Sequence, residues 1–208
     1  MDVKTITVLC MGNSLHTWKK EMQKFRPDLA DRMIIIEHMS ASERYKVWND
    51  PYWKVIIAKV ATFRLDYDHI HTGPTMLIGD ECQKYLRNRK SPTSKCIIEY
   101  CQHIPNVVFT TGTGVSRGRQ DFYPALQALR LKRFKSYWRF VNTFTFVTRT
   151  PFGFDIGGAR NTQQFRNETA DTILRLSQPI TGLPEIIRQP FPVEMTPVQA
   201  KMYRGMAD

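Results

Sequence analysis

The chain has 208 residues, 42% of them hydrophobic and 12% aromatic, which suits one folded domain, or one domain and an appendage, and excludes a disordered chain. No apolar run reaches membrane-spanning length and the N-terminus lacks a charged-then-apolar signal pattern, so an intracellular protein with no membrane partner is expected. A net charge of +11, from 30 Lys and Arg against 19 acids, points to a polyanion partner.

In chain order, Ile6-Thr7-Val8-Leu9-Cys10 reads as a buried strand, and Met11-Gly12-Asn13-Ser14 turns the chain, with Asn13 or Ser14 placed to cap the next helix. Leu15, Trp18, Met22 and Phe25 recur at helical spacing until Pro27, which puts Trp18 on the core face. Met33-Ile34-Ile35-Ile36 is a second strand and 41–48 a short helix closed by Asn49-Asp50-Pro51. Val55-Ile56-Ile57-Ala58 is a third strand, Met76-Leu77-Ile78 a fourth and Val107-Val108-Phe109-Thr110 a fifth, with a helix over 94–102 before it. Strand and helix alternate, and the runs are too short and too apolar for an antiparallel meander. The fold class is therefore α/β, a parallel sheet flanked by helices.

The character changes after Asp121. A helix is expected from Phe122 to Leu131, and an aromatic-basic run follows over 134–146. Pro151, Gly153, Gly157 and Gly158 predict a loop over 150–160, and a helix is expected over 163–176. The tail is extended around Pro190-Phe191-Pro192, and Pro197 opens a last helix over 198–206.

The four cysteines, Cys10, Cys82, Cys96 and Cys101, show no CxxC spacing and read as reduced, buried thiols rather than zinc ligands. Basic residues cluster at 84–95, at Arg117 with Arg119, and at 130–139, where Tyr137 and Trp138 are interleaved. Solvated helix faces account for any one cluster. Three of them, each after a strand or motif, suit a nucleic-acid surface.

The stretch Thr75-Met76-Leu77-Ile78-Gly79-Asp80-Glu81-Cys82-Gln83 carries the chemistry. An apolar strand ends on two adjacent carboxylates, at the strand end where parallel sheets hold ligands. An Asp there can hold Mg²⁺ on nucleotide phosphates, and the adjacent Glu can orient an attacking water.

Several motifs then align in one order. The segment Val8-Leu9-Cys10 through Asn13-Ser14-Leu15 and Trp18-Lys19-Lys20-Glu21 resembles motif Ia of the Swi/Snf-type DNA translocases, which are superfamily-two ATPases. Val55-Ile56-Ile57 with Thr62-Phe63-Arg64 is similar to motif Ib, Asp80-Glu81-Cys82-Gln83 to the DExx box, and Thr111-Gly112-Thr113 to motif III. Leu183-Pro184, Val193, Met195-Thr196-Pro197, Gln199 and Tyr203 resemble the link from lobe one towards lobe two. Gly114 stands where the family has Pro, and Cys82 where it has Ala.

The resemblance implies a RecA-like, P-loop NTPase-type lobe over 1–130, with 131–208 as its C-terminal part and the link to a second lobe. It implies ATP and Mg²⁺ as cofactors, with Asp80 holding the metal through water and Glu81 and Gln83 completing the catalytic group. Thr111, Gly112 and Thr113 couple the γ-phosphate to double-stranded DNA. Ser14, Thr62, Arg64 and Arg117 contact the DNA backbone without reading sequence. The strand ends at Cys10, Ala58, Gly79 and Thr111 form the functional edge.

No P-loop precedes the motif Ia strand, and no second lobe follows. The lobe is thus read as N-terminally truncated, with the fourth strand lacking a ladder partner and the chain inactive in ATP hydrolysis without a complementary chain. A split gene of phage or viral origin, acting in a host cytoplasm or nucleus, fits. The other reading is a non-catalytic DNA-binding or subunit-docking module derived from such an ATPase.

Overall fold

The short apolar runs pair side by side in a computed structural model that describes residues 4–112, 118–175, 189–192 and 194–204. Strands β1 (Ile6–Cys10), β2 (Met33–Ile36), β3 (Val55–Lys59), β4 (Met76–Gly79) and β5 (Asn106–Phe109) form one sheet in the order β2-β3-β1-β4-β5. Every pairing is parallel. Helices α1 (Leu15–Phe25), α2 (Ala41–Asn49), α3 (Val60–Asp66) and α4 (Pro92–Cys101) make the crossovers.

Alternation along the strands decides which helix covers which face. Ile6, Val8 and Cys10 of β1, with Val55 and Ile57 of β3, pack against Leu15, Trp18 and Met22 of α1. Leu9, Ile56, Ala58 and Leu77 point the other way, into a core with Trp48, Phe63, Ile97 and Cys101 from α2, α3 and α4. Inside that second core Asp66 is fully buried, and Arg44 holds it with two hydrogen bonds of 2.8 and 2.7 Å. The Trp48 indole donates a third, at 3.0 Å, so the charge is paired and hydrogen-bonded.

The next segment builds an aromatic core. Helices α5 (Tyr123–Ala128), α6 (Tyr137–Phe144) and α7 (Thr162–Glu168) bring Tyr123, Phe134, Phe140, Phe144 and Phe165 together, with successive ring centroids 5.3–5.5 Å apart. Between α6 and α7 lies an antiparallel hairpin, β6 (Phe146–Thr150) and β7 (Gly153–Gly157).

The chain divides into two compact units, 1–169 and 170–208. Within the second, α8 (Pro197–Arg204) starts with Pro at its first position. Thr196 and Gln199 cap it reciprocally, the Thr196 hydroxyl accepting from the Gln199 amide at 3.4 Å and the Gln199 side chain from the Thr196 amide at 3.0 Å. No helix among the described residues is long and apolar enough to cross a membrane.

Four expectations are corrected. β4 does not lack a ladder partner: β1 and β5 flank it, and the outer strands are β2 and β5. The loop expected over 150–160 is mostly the hairpin. Its breakers sit where a hairpin needs them, with Pro151 in the two-residue turn and Gly153 at φ +131°, a conformation that L side chains rarely adopt. The helix expected to run to 176 ends at Glu168, and the buried Thr169 hydroxyl takes up the Phe165 carbonyl at 2.7 Å. Finally, neither Asn13 nor Ser14 caps α1 through its side chain, because a 3₁₀ turn, Gly12–Ser14, leads straight into the helix.

Candidate nucleotide and DNA site

The strand order brings the sequence-predicted residues to one edge of the sheet. Beyond β1 comes the turn ending at half-buried Ser14, beyond β3 the first turns of α3 with half-buried Thr62 and exposed Arg64, and beyond β4 the acid pair. β1 lies between β3 and β4, so Ser14 leaves the sheet between the other two groups. Thr113 and Arg117, with Gly114, fall outside the described residues.

Backbone bonds hold the acid pair across three strands. The Asp80 amide donates to the Leu9 carbonyl at 2.8 Å, Thr110 to Gly79 at 2.9 Å, and Cys82 to Thr110 at 3.0 Å. Gly79 is required by space: a Cβ there would lie 2.5 Å from the Phe109 ring and 2.6 Å from the Tyr85 hydroxyl. Glu81 then adopts left-handed φ 50°, ψ 46°, which costs a non-glycine residue about 1 kcal/mol and turns the chain back over the strand end.

Both Asp80 oxygens are engaged. Trp18 Nε1 donates to Oδ2 at 2.9 Å, and Thr110 Oγ1 donates to Oδ1 at 2.7 Å. Glu81 and Gln83 lie on the neighbouring turn, where the Gln83 amide nitrogen donates to the Glu81 carboxylate. The exposed Thr111 hydroxyl donates in turn to Gln83 Oε1 at 2.5 Å. A hydrogen-bonded relay therefore runs from the end of β5, through Gln83, to Glu81. Gly112 follows it, exposed and with open space where a Cβ would be.

The neighbouring thiols are kept neutral. Burial, and then the Asp80 charge, pushes Cys10 up to about 12. Burial, and then Glu81, pushes Cys82 up to about 12 as well. Cys82 is therefore packing, not a nucleophile. All four cysteines are free and buried.

Sequence reasoning missed three contributors. Trp18 sits on the expected core face but spends its indole N–H on Asp80, and Thr110 lies just past β5, not in it. The third is a charge cluster beside the site: Glu37, just after β2, pairs with Lys59 Nζ at 2.9 Å and with His16 at 3.1 Å. The Lys59 hydrogen bond is the main reason the Glu37 carboxyl lies below its ordinary range. Only the strand-end positions of Glu37 and Lys59 could have signalled this cluster.

The donor set of two carboxylates, an amide and two hydroxyls is all oxygen where a metal would be held, which fits a hydrated hard cation such as Mg²⁺. No Gly-rich run ending in Lys-Ser or Lys-Thr is present to cradle phosphates.

Comparison with known proteins bears on the fold and the family. No curated protein sequence matches the chain. Among solved structures it is similar to a Sulfolobus solfataricus SWI2/SNF2 ATPase core in complex with dsDNA, with TM-score 0.67 and 22% identity, covering 98% of this chain and 41% of that one. The chain thus spans less than half the length of that relative. It also matches the Pyrococcus furiosus Hef helicase domain at TM-score 0.49 and 17% identity, over 62% of this chain and 28% of that one. The family model of the SNF2-related domain matches residues 2–207. With its five-stranded parallel sheet fitting a RecA-like lobe, the chain belongs to the SNF2-related domain family.

Proposed function

We propose that this chain supplies one RecA-like lobe of an ATP-dependent DNA translocase or helicase-like enzyme. The observation that carries the reading is the relay Thr111–Gln83–Glu81 beside Asp80, which joins the ends of β4 and β5 into one polar group. Asp80 would hold the Mg²⁺ of a bound nucleotide, and Glu81 would accept a hydrogen bond from the hydrolytic water. Gln83 keeps the Glu81 carboxylate aimed, and Thr111, with Gly112 and Thr113, responds to the phosphate state. Mg-ATP, when bound, supplies the anhydride whose cleavage drives movement. On the DNA side Ser14, Thr62, Arg64 and Arg117 contact backbone phosphates of a duplex. The dsDNA bound to the Sulfolobus ATPase core supports that half of the reading.

In this proposal residues 1–130 are the nucleotide and DNA lobe, and 131–208 its C-terminal part and the link to a second lobe. A complementary segment carrying a P-loop would pair with the outer edge of β5, where Val108 is 41% exposed. Without that cradle the chain turns over ATP slowly or not at all. A second reading, a non-catalytic DNA-binding or docking module, draws on the engagement of both Asp80 oxygens by Trp18 and Thr110, which gives that acid a structural use without nucleotide.

The test is Mg-nucleotide binding and DNA-stimulated hydrolysis by the purified chain, with Asp80→Asn and Glu81→Gln. Weak nucleotide binding lost in Asp80→Asn, with salt-sensitive duplex binding, is expected. Absence of nucleotide binding alone moves the assignment to the second reading. Absence of duplex binding as well overturns both.

A further inference from the structure

Away from the acid pair, the 87–90 loop, the start of α6 and β7 enclose a cleft of about 690 Å³, a volume in the range of small-molecule pockets and enough for an unpaired base with its sugar. Its wall is a run of π surfaces. The Arg89 guanidinium lies 4.2 Å over the Tyr137 ring, Tyr137 meets Trp138 at 5.7 Å, and Trp138 meets Phe154 at 5.0 Å. Both ring pairs meet edge to face, at 68° and 65°, so neither ring of a pair lies under a parallel partner. Trp138 is 46% exposed and Phe154 56%, while Phe152 at the hairpin turn is completely exposed.

Polar groups complete the cleft. Arg87 and Lys90 line the cleft beside Arg89, as do Asp121 and Asp155 from the other elements. Gln120 donates from its side-chain amide to the Ile156 carbonyl at 2.9 Å. Its side-chain carbonyl oxygen is buried over Gly118 without a hydrogen bond among the described residues. The floor is anchored, because Gly118 bridges Gly158 and the Arg119 amide donates to the Gly158 carbonyl at 3.1 Å.

We propose that this cleft binds unpaired bases of single-stranded DNA, stacking them on Trp138 and Phe154 with Arg89 and Lys90 on the backbone. Exposed aromatic faces interleaved with cations, in a chain of net charge +11, favour a nucleic-acid strand over an apolar protein partner. Phe152, at the hairpin tip, is placed to wedge between bases where a duplex opens. The inference rests on the proposed function only in taking DNA as the partner; duplex contacts and nucleotide chemistry lie at the other site.

The experiment is fluorescence anisotropy of the full chain with a labelled thymidine oligonucleotide of about 16 nucleotides and, separately, with a blunt duplex. Trp138→Ala and Phe154→Ala, both at exposed positions, are each expected to weaken single-strand binding about tenfold and to leave duplex binding unchanged. Trp138→Phe should recover most of the loss, and Lys90→Gln should lower the salt dependence. Unchanged single-strand affinity in Trp138→Ala and Phe154→Ala overturns the proposal and leaves the face to a protein partner. Duplex binding without single-strand binding overturns it while the proposed function stands. Loss of both in the unmutated chain overturns both.

Discussion

The Trp18 indole donates a 2.9 Å hydrogen bond to Asp80, joining the first helix on one face of the sheet to the acid at the end of a central strand, 62 residues further on. A carboxylate held in this way from one side and by Thr110 from the other keeps a fixed orientation before any ligand arrives. The bond also makes α1 sensitive to what happens at Asp80, since any shift of that carboxylate changes a contact of the helix.

Trp18→Phe keeps the ring against the sheet and removes the donor. Urea unfolding of Trp18→Phe, Asp80→Asn and the double mutant should give a coupling of about 1 kcal/mol between the two positions. Additive effects would mean that the bond contributes nothing to stability.

Asp66 is fully buried between Arg44 and Trp48. Asp66→Ala strands the Arg44 cation, whose side chain is only 19% exposed, and should cost about 3–5 kcal/mol, read as a fall in the denaturation midpoint. Replacing the pair together, as Arg44→Met with Asp66→Leu, should recover much of that loss.

The buried thiols set an alkaline limit. In the fold Cys10, Cys82, Cys96 and Cys101 are each pushed up to about 12 from 9.0, with burial the first cause. Below pH about 9 both folded and unfolded chains keep these protons, and stability is undiminished; between about 9 and 12 only the unfolded chain releases them. Stability should therefore fall as pH rises through that window, and less steeply after Cys→Ser exchange at one of these positions. A thiol reagent at neutral pH should label the four cysteines only after denaturant is added.

Glu37 pairs with Lys59 Nζ and so masks positive charge beside the strand ends proposed to meet DNA. Glu37→Gln should tighten duplex binding several-fold at low salt and have no effect at high salt. Equal affinity at low salt would place Lys59 away from the DNA path.

Arg64 is exposed on α3 between buried Phe63 and exposed Leu65. Arg64→Ala should weaken duplex binding at low salt with an unchanged circular dichroism spectrum. Unchanged affinity would remove Arg64 from the contact surface.

The sequence by itself determined the five strands, their parallel, helix-covered arrangement and the acid pair beyond the fourth. These depend on neighbours in the chain: short β-branched runs bury both faces, and Asp80-Glu81 must follow where Met76-Leu77-Ile78 ends. Ordered motifs carried the family for the same reason, as each is a local string. Only the tertiary structure decided the strand order, which pairs β4 on both sides, because ladder partners are chosen by packing between distant segments. It also decided that Trp18 reaches Asp80 and that Arg44 reaches Asp66, since helical spacing says which side chains share a face but not what lies opposite. In the hairpin, proline and glycine read locally as a loop. Strand pairing fixed Phe146–Thr150 against Gly153–Gly157, and the breakers became its turn.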